Sequence, residues 1–243
     1  MILYVNGDSH SAGAEAVNSY AFAMEDYKYY HLGRVPHPEN LKASYGQIIA
    51  DDLGYQLVCD AESGASNTRI LRTTYSYLEN NTPDLIIIGW ASWERAEWMF
   101  GDEIYQFSAG LNTSGFPDHV LEVYKTWIVD RQRPEIYCKY WQQRIWQLHQ
   151  DLLSKQIPHL FFNTFSNLLT LKEGAIPCGS EVEKLDWQSC YVDPYNQNHT
   201  FFSWLAEQGQ KTIRLDSFHY GADAHQIWAN HLTKIIKESI MIK

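Results

Sequence analysis

A chain of 243 residues, 45% hydrophobic and 20% charged, is sized for one large packed domain and is too apolar to be disordered. Its net charge of −10 leaves no basic face for phosphate, which excludes nucleic acid as an expected partner. No apolar stretch is long enough to span a bilayer, so no membrane is expected either.

The first residues, Met1-Ile2-Leu3-Tyr4-Val5-Asn6, read as a buried strand. They lack the positive n-region of a signal peptide, and the expectation is a cytoplasmic protein. Gly7-Asp8-Ser9-His10 follows as a turn. Residues 10–40 fit no regular period and contain Pro36 and Pro38. Leu41, Tyr45, Ile48, Ile49 and Leu53 share one helical face, with Asn40 as N-cap and Gly54 as the stop. A second strand is expected over Tyr55–Asp60. The loop Glu62-Ser63-Gly64-Ala65-Ser66-Asn67 leads to a helix carrying Ile70, Leu71, Tyr75 and Leu78. A third strand, Asp84–Trp90, contains the continuous run Leu85-Ile86-Ile87-Ile88, the pattern of a parallel strand covered on both faces.

Past that strand lie Trp90, Trp93 and Trp98 and the charged residues Glu94, Arg95 and Glu97. Residues 99–119 read as an irregular insertion. Trp141, Ile145, Leu148 and Leu152 mark a strongly periodic helix before a fourth strand, His159–Asn163. Residues 164–211 form a third irregular stretch, and loops of this length in a compact domain usually carry function. A short fifth strand over Thr212–Leu215 would deliver Asp216 to the sheet edge. Trp228, Leu232 and Ile235 face inward from a last helix. Strands alternating with helices define an α/β fold with a central parallel sheet, in one domain over 1–243 with insertions near 10–40, 99–119 and 164–211. Ligands bind such sheets at the carboxyl ends of the strands.

Ser9 sits at one such end. A serine hydroxyl attacks only when a base takes its proton. A histidine does so near neutral pH when an acceptor fixes its tautomer. Asp216-Ser217-Phe218-His219 offers both groups in one turn, so the expected triad is Ser9, His219 and Asp216. Each piece has a plainer reading, since Gly-Asp-Ser is a turn signal and Asp-x-x-His before a helix is a cap. Their occurrence together at the two expected places favours catalysis.

Gly7-Asp8-Ser9, Gly64 and Asp216-x-x-His219 ahead of a terminal helix resemble the SGNH (GDSL-type) hydrolases, through four short blocks spread over nearly the whole chain. The Gly-x-Ser-x-Gly elbow of α/β-hydrolases is missing. The resemblance implies a flavodoxin-like three-layer αβα sandwich and hydrolysis of an ester or related acyl bond. It assigns Ser9 as nucleophile, His219 as base and Asp216 as orienter, with the backbone N–H groups of Ser9 and Gly64 in the oxyanion hole. The third block departs from the family pattern, because Ala91 stands where an asparagine donor is expected. Ser92 and Asn67 are the candidate substitutes. One such donor is worth about 3 kcal/mol of transition-state stabilisation.

His10, Trp90, Trp93 and Arg95 are candidate substrate contacts. Exposed tryptophan faces suit sugar rings, whereas an Arg–carboxylate pair that fixes the loop is the alternative for Arg95. His225 reads as helix packing or capping. The expected substrate is a small-molecule or glycan ester, an acetyl or short acyl ester on a carbohydrate. An acyltransferase, or a catalytically weak glycan-binding protein on the same scaffold, is the alternative. The chain also resembles divergent members of the family in phage genomes, which implies a virion or infected-cell setting.

No cofactor and no metal are expected. His31, His37 and Glu39 form no H-E-x-x-H motif, and neither a dinucleotide nor a Walker fingerprint occurs. Cys59, Cys138, Cys178 and Cys190 lack CxxC spacing and read as free thiols, with a Cys178–Cys190 pair the alternative in an oxidising compartment.

Overall fold

A computed structural model describes residues 1–23, 33–130, 134–168 and 184–240. Cys178, His31 and the middle of the 164–211 insertion lie outside them.

Four strands form one parallel sheet: β1 (Ile2–Asn6), β2 (Gln56–Cys59), β3 (Leu85–Trp90) and β6 (His159–Asn163), in the order β2-β1-β3-β6. Leu3 pairs with Leu57 on one side and with Leu85 on the other. The period-2 alternation of side chains then sorts the apolar residues into two cores. Leu3, Val5, Leu85, Ile87, Leu160 and Phe162 face one layer, packed against α2 (Tyr45–Leu53), α6 (Phe201–Glu207) and α7 (Ala222–Ile235). Tyr4, Ile86, Ile88, Trp90 and Phe161 face the other, against α3 (Asn67–Asn80) and α5 (Pro134–Ser154). The protein is a three-layer αβα sandwich. Both faces of β3 are buried, which is why its sequence is continuously apolar.

The four strands of the parallel sheet fall where the sequence puts them, to within a residue or two. The first helix does not. Asn40 lies inside a short α1 (Pro38–Lys42), buried, where its side-chain oxygen accepts from the backbone N–H of Val17 and Asn18. Ser44 caps α2 instead, accepting from Gln47 N, while Gly54 ends it in a left-handed conformation as expected.

The expected strand over Thr212–Leu215 is also corrected. Only an isolated antiparallel bridge joins Thr212 to Tyr220, because residues 214–217 form a turn closed by Ser217 N donating to Arg214 O.

Where the sequence reads as an irregular insertion near 99–119, the chain forms a two-stranded antiparallel hairpin, β4 (Ala96–Phe100) with β5 (Glu103–Phe107), followed by α4 (Asp118–Asp130). These build a third, satellite core around Phe107, Phe116 and Trp127. Arg72 of α3 binds Glu97 of β4 at 2.8 Å and ties the hairpin to the main body. Among the described residues no helix is long and apolar enough to cross a membrane.

Candidate active site

Ser9 follows β1 at its carboxyl end and is 4% exposed. The turn that carries it is helical in hydrogen bonding: Ala12 N donates to Asp8 O and Ala14 N to Ser9 O. Gly7 opens the turn because no larger residue fits. A Cβ there would stand 2.1 Å from Ser11 Oγ and 2.8 Å from the carbonyl oxygen of Gly89.

Asp8 organises the floor. Its fully buried carboxylate accepts from His10 N, faces His10 Nδ1 at 3.1 Å, and pairs with Arg95 Nη1 at 3.1 Å. Burial pushes its pKa up, but His10 and Arg95 outweigh it and the carboxyl ends well below the usual range. Arg95 also donates to Ala65 O, so one guanidinium joins the Ser9 turn to the Gly64 loop.

His10 bridges the two ends of the chain. Its Nε2 lies 3.1 Å from Phe218 O, and its ring meets that of His219 edge-on at 5.4 Å. The Ser9 turn and the loop bearing His219 are thereby packed together.

The acid that meets His219 is Glu15. His219 Nδ1 lies 2.5 Å from Glu15 Oε2, and the same oxygen accepts from Ser217 Oγ at 2.9 Å. Glu15 Oε1 accepts from Arg214 Nη2 at 2.6 Å. A carboxylate on Nδ1 makes that nitrogen the donor and leaves Nε2 as the acceptor, the tautomer a general base needs. Burial holds His219 below its ordinary value, against the opposing pull of Glu15. Glu15 is itself held low, first by the hydrogen bond from His219.

Asp216, expected in this place, is corrected. Its side chain is 84% exposed on the outside of the 214–217 turn and lies 3.4 Å from Arg214 Nε. The turn that shortens the loop directs residue 216 to solvent. Glu15 carries a sequence-invisible mark, a φ of +61°, which only a well-packed surrounding sustains in a residue with a Cβ.

Gly64 has φ +86° and lies in the loop between β2 and α3. Among the described residues, neither its N–H nor that of Ser9 donates to a protein acceptor. Backbone N–H groups of this kind suit a developing oxyanion. Asn67 gives one amide proton to Ala91 O at 3.0 Å, while Ser92 Oγ accepts from Glu94 N within its own turn.

The other candidate contacts separate. Trp90 is a core residue, 1% exposed and packed edge-on against Phe161, since β3 is covered on both faces. Trp93 stacks on Tyr137 and, with Thr68, Arg95, Trp127 and Trp141, lines a cleft of about 240 Å³. Arg95 lies at the junction of this cleft with the Asp8 floor. His225 is buried in α7, where its Nδ1 accepts from the backbone N–H of Tyr45 at the start of α2.

One described group has the donor types and proximity for a metal ion: His149, His159 and Cys190, with ligand atoms within 4.8 Å of one another. His149 Nδ1 and His159 Nε2 already bond each other at 2.8 Å, and His159 Nδ1 donates to Ile157 O. His159 opens β6, so this group belongs to the amino-terminal edge of the sheet, opposite the Ser9 end. Among the described residues, Cys59, Cys138 and Cys190 form no disulfide with one another.

No protein-family model and no curated protein sequence matches the chain. Solved structures similar to it include an acetyl xylan esterase, Est2A, from the rumen bacterium Butyrivibrio proteoclasticus, at 12% identity and TM-score 0.41 over 97% of this chain. This chain spans 63% of that one's length. A carbohydrate esterase family 2 enzyme with a carbohydrate-binding domain from Corynascus thermopiles matches at 14% identity and TM-score 0.43, covering 97% of this chain and 65% of that one. Esterase EstA from Pseudoalteromonas sp. matches at 12% and TM-score 0.43, covering 98% and 97%.

Proposed function

We propose that the protein is a serine esterase in which Ser9 is the nucleophile, His219 the base and Glu15 the acid that orients it. The observation that carries this reading is the 2.5 Å contact between Glu15 Oε2 and His219 Nδ1, in a loop packed against the Ser9 turn.

His219 Nε2 takes the hydroxyl proton as Ser9 Oγ bonds to the ester carbonyl carbon, and the carbonyl π pair moves onto oxygen. The Ser9 and Gly64 N–H groups receive that charge. Collapse breaks the bond to the alkoxy group, which leaves with the proton from His219. Water, deprotonated by the same nitrogen, then releases the acid and restores Ser9. Glu15 stays ionised throughout and stabilises the imidazolium.

The substrate class we infer is an acetyl or short acyl ester of a carbohydrate. Flat aromatic faces with a neighbouring polar group suit sugar rings, and the Trp93 cleft supplies both beside Arg95. The test is labelling by a fluorophosphonate probe, with Ser9→Ala as control, followed by turnover of p-nitrophenyl acetate and acetylated oligosaccharides. Labelling that requires Ser9 is the expected result. Folded protein that binds acetylated glycan but neither labels nor turns over would instead establish a binding protein.

A further inference from the structure

Ala91 leaves the oxyanion site with two backbone donors and no side-chain donor from the third strand. The β4–β5 hairpin brings in a different amide. Gln106 lies in β5, is 3% exposed, and its Oε1 is buried with no hydrogen-bond partner. A buried amide oxygen left without a hydrogen bond costs about 1–3 kcal/mol, so its retention there calls for a role.

The other end of that amide points at the Gly64 loop. Gln106 Nε2 would stand 2.8 Å from a Cβ placed on Gly64. The open space at Gly64 is therefore occupied by an amide nitrogen, beside a backbone N–H that donates to no described acceptor. The position is held from two sides. Gln106 pairs with Glu97 across the hairpin, and Glu97 is bound by Arg72 of α3, the helix that the Gly64 loop enters.

We propose that Gln106 is the third oxyanion donor, its Nε2–H taking the place of the family's asparagine. This rests on the esterase reading given above. In the addition step the carbonyl oxygen gains a full charge, and an amide N–H aimed at that point strengthens as the charge grows. Asn67 is the poorer candidate, because its amide nitrogen already serves Ala91 O.

The test compares wild type with Gln106→Met, which keeps length and volume without a donor, and Gln106→Glu, which places a carboxylate there. Steady-state kinetics on p-nitrophenyl acetate are measured alongside the rate of Ser9 phosphonylation. Loss of one donor predicts a kcat lower by about 10²–10³ in Gln106→Met, with KM changed less than about threefold. Phosphonylation should slow in parallel and the melting temperature should hold. Gln106→Glu should be at least as slow. A Gln106→Met protein that keeps kcat within threefold of wild type overturns the assignment and leaves the esterase reading standing. So does a loss that tracks a fall in melting temperature and is repaired at lower temperature, since that marks a prop for the loop. A wild-type protein with no Ser9-dependent labelling or turnover overturns both.

Discussion

Glu15 and His219 stand 204 positions apart in the chain and 2.5 Å apart in space. The proposed acid follows the proposed nucleophile by six residues, within the same compact turn, while the proposed base arrives on a loop ahead of the last helix. This departs from an arrangement in which acid and base share one loop, and each consequence below is measurable.

Glu15→Gln should lower kcat by about a thousandfold, because an amide on Nδ1 no longer selects the tautomer or stabilises the imidazolium. Asp216→Ala should leave kcat within about twofold of wild type. Turnover of p-nitrophenyl acetate by the two variants decides between Glu15 and Asp216, and the opposite ranking would restore Asp216 as the orienting acid.

The pH profile has a definite sign. Burial holds His219 below 6.5, so the neutral base persists into mildly acid solution and the acid limb of kcat/KM should fall below that value. Glu15 acts in the raising direction, so its removal should move the limb of the residual activity further toward acid. A limb that moves toward alkali in Glu15→Gln would contradict the assignment.

Stability should also depend on pH through two buried histidines outside the proposed triad. Burial lowers His159 to about 4 and His225 to about 3. Below pH 6.5 the unfolded chain binds protons that these rings refuse in the folded state. Their contribution is complete above 6.5 and is lost as pH falls toward the folded values, by up to about 1.4 kcal/mol per pH unit for each ring. Urea denaturation at pH 7, 6 and 5 should show the decline, and His159→Gln should reduce its slope. An unchanged slope would rule out the titration of His159 as a source.

Arg95→Met separates bracing from substrate binding. Removing the guanidinium leaves the buried Asp8 carboxylate with one cationic neighbour fewer and frees Ala65 O. A loss of about 3 kcal/mol in folding stability is expected. If stability holds and KM for a glycan ester rises instead, Arg95 serves the substrate.

Much of this was legible before any coordinates. Ile86 to Ile88 announced a strand buried on both faces, and the strand–helix alternation fixed the sheet and the edge where Ser9 lies. Glu15 was not legible. It lies in an irregular segment with no period, and what singles it out is a left-handed backbone and three partners drawn from residues 214–219. Asp216 misled because three-residue spacing permits a contact without requiring it, and the 214–217 turn faces the other way. The hairpin does not show in the hydrophobic period, although Gly101-Asp102 between two apolar-rich runs is a turn signal, with Gly101 at φ +61°. Trp98 and Met99 are exposed there, which blurs the alternation. With the hairpin went Gln106, whose position beside Gly64 depends on tertiary packing alone.

The shared turn of Ser9 and Glu15 has a mechanical result. The proposed nucleophile and acid share one turn braced by the Ala12 N–Asp8 O and Ala14 N–Ser9 O bonds, so their separation is set when that turn folds. The imidazole alone is carried by a separate segment. A displacement of residues 213–219 would part the imidazole from the Glu15 carboxylate and from the Ser9 turn in a single movement, making the proposed proton relay a clutch with one moving plate.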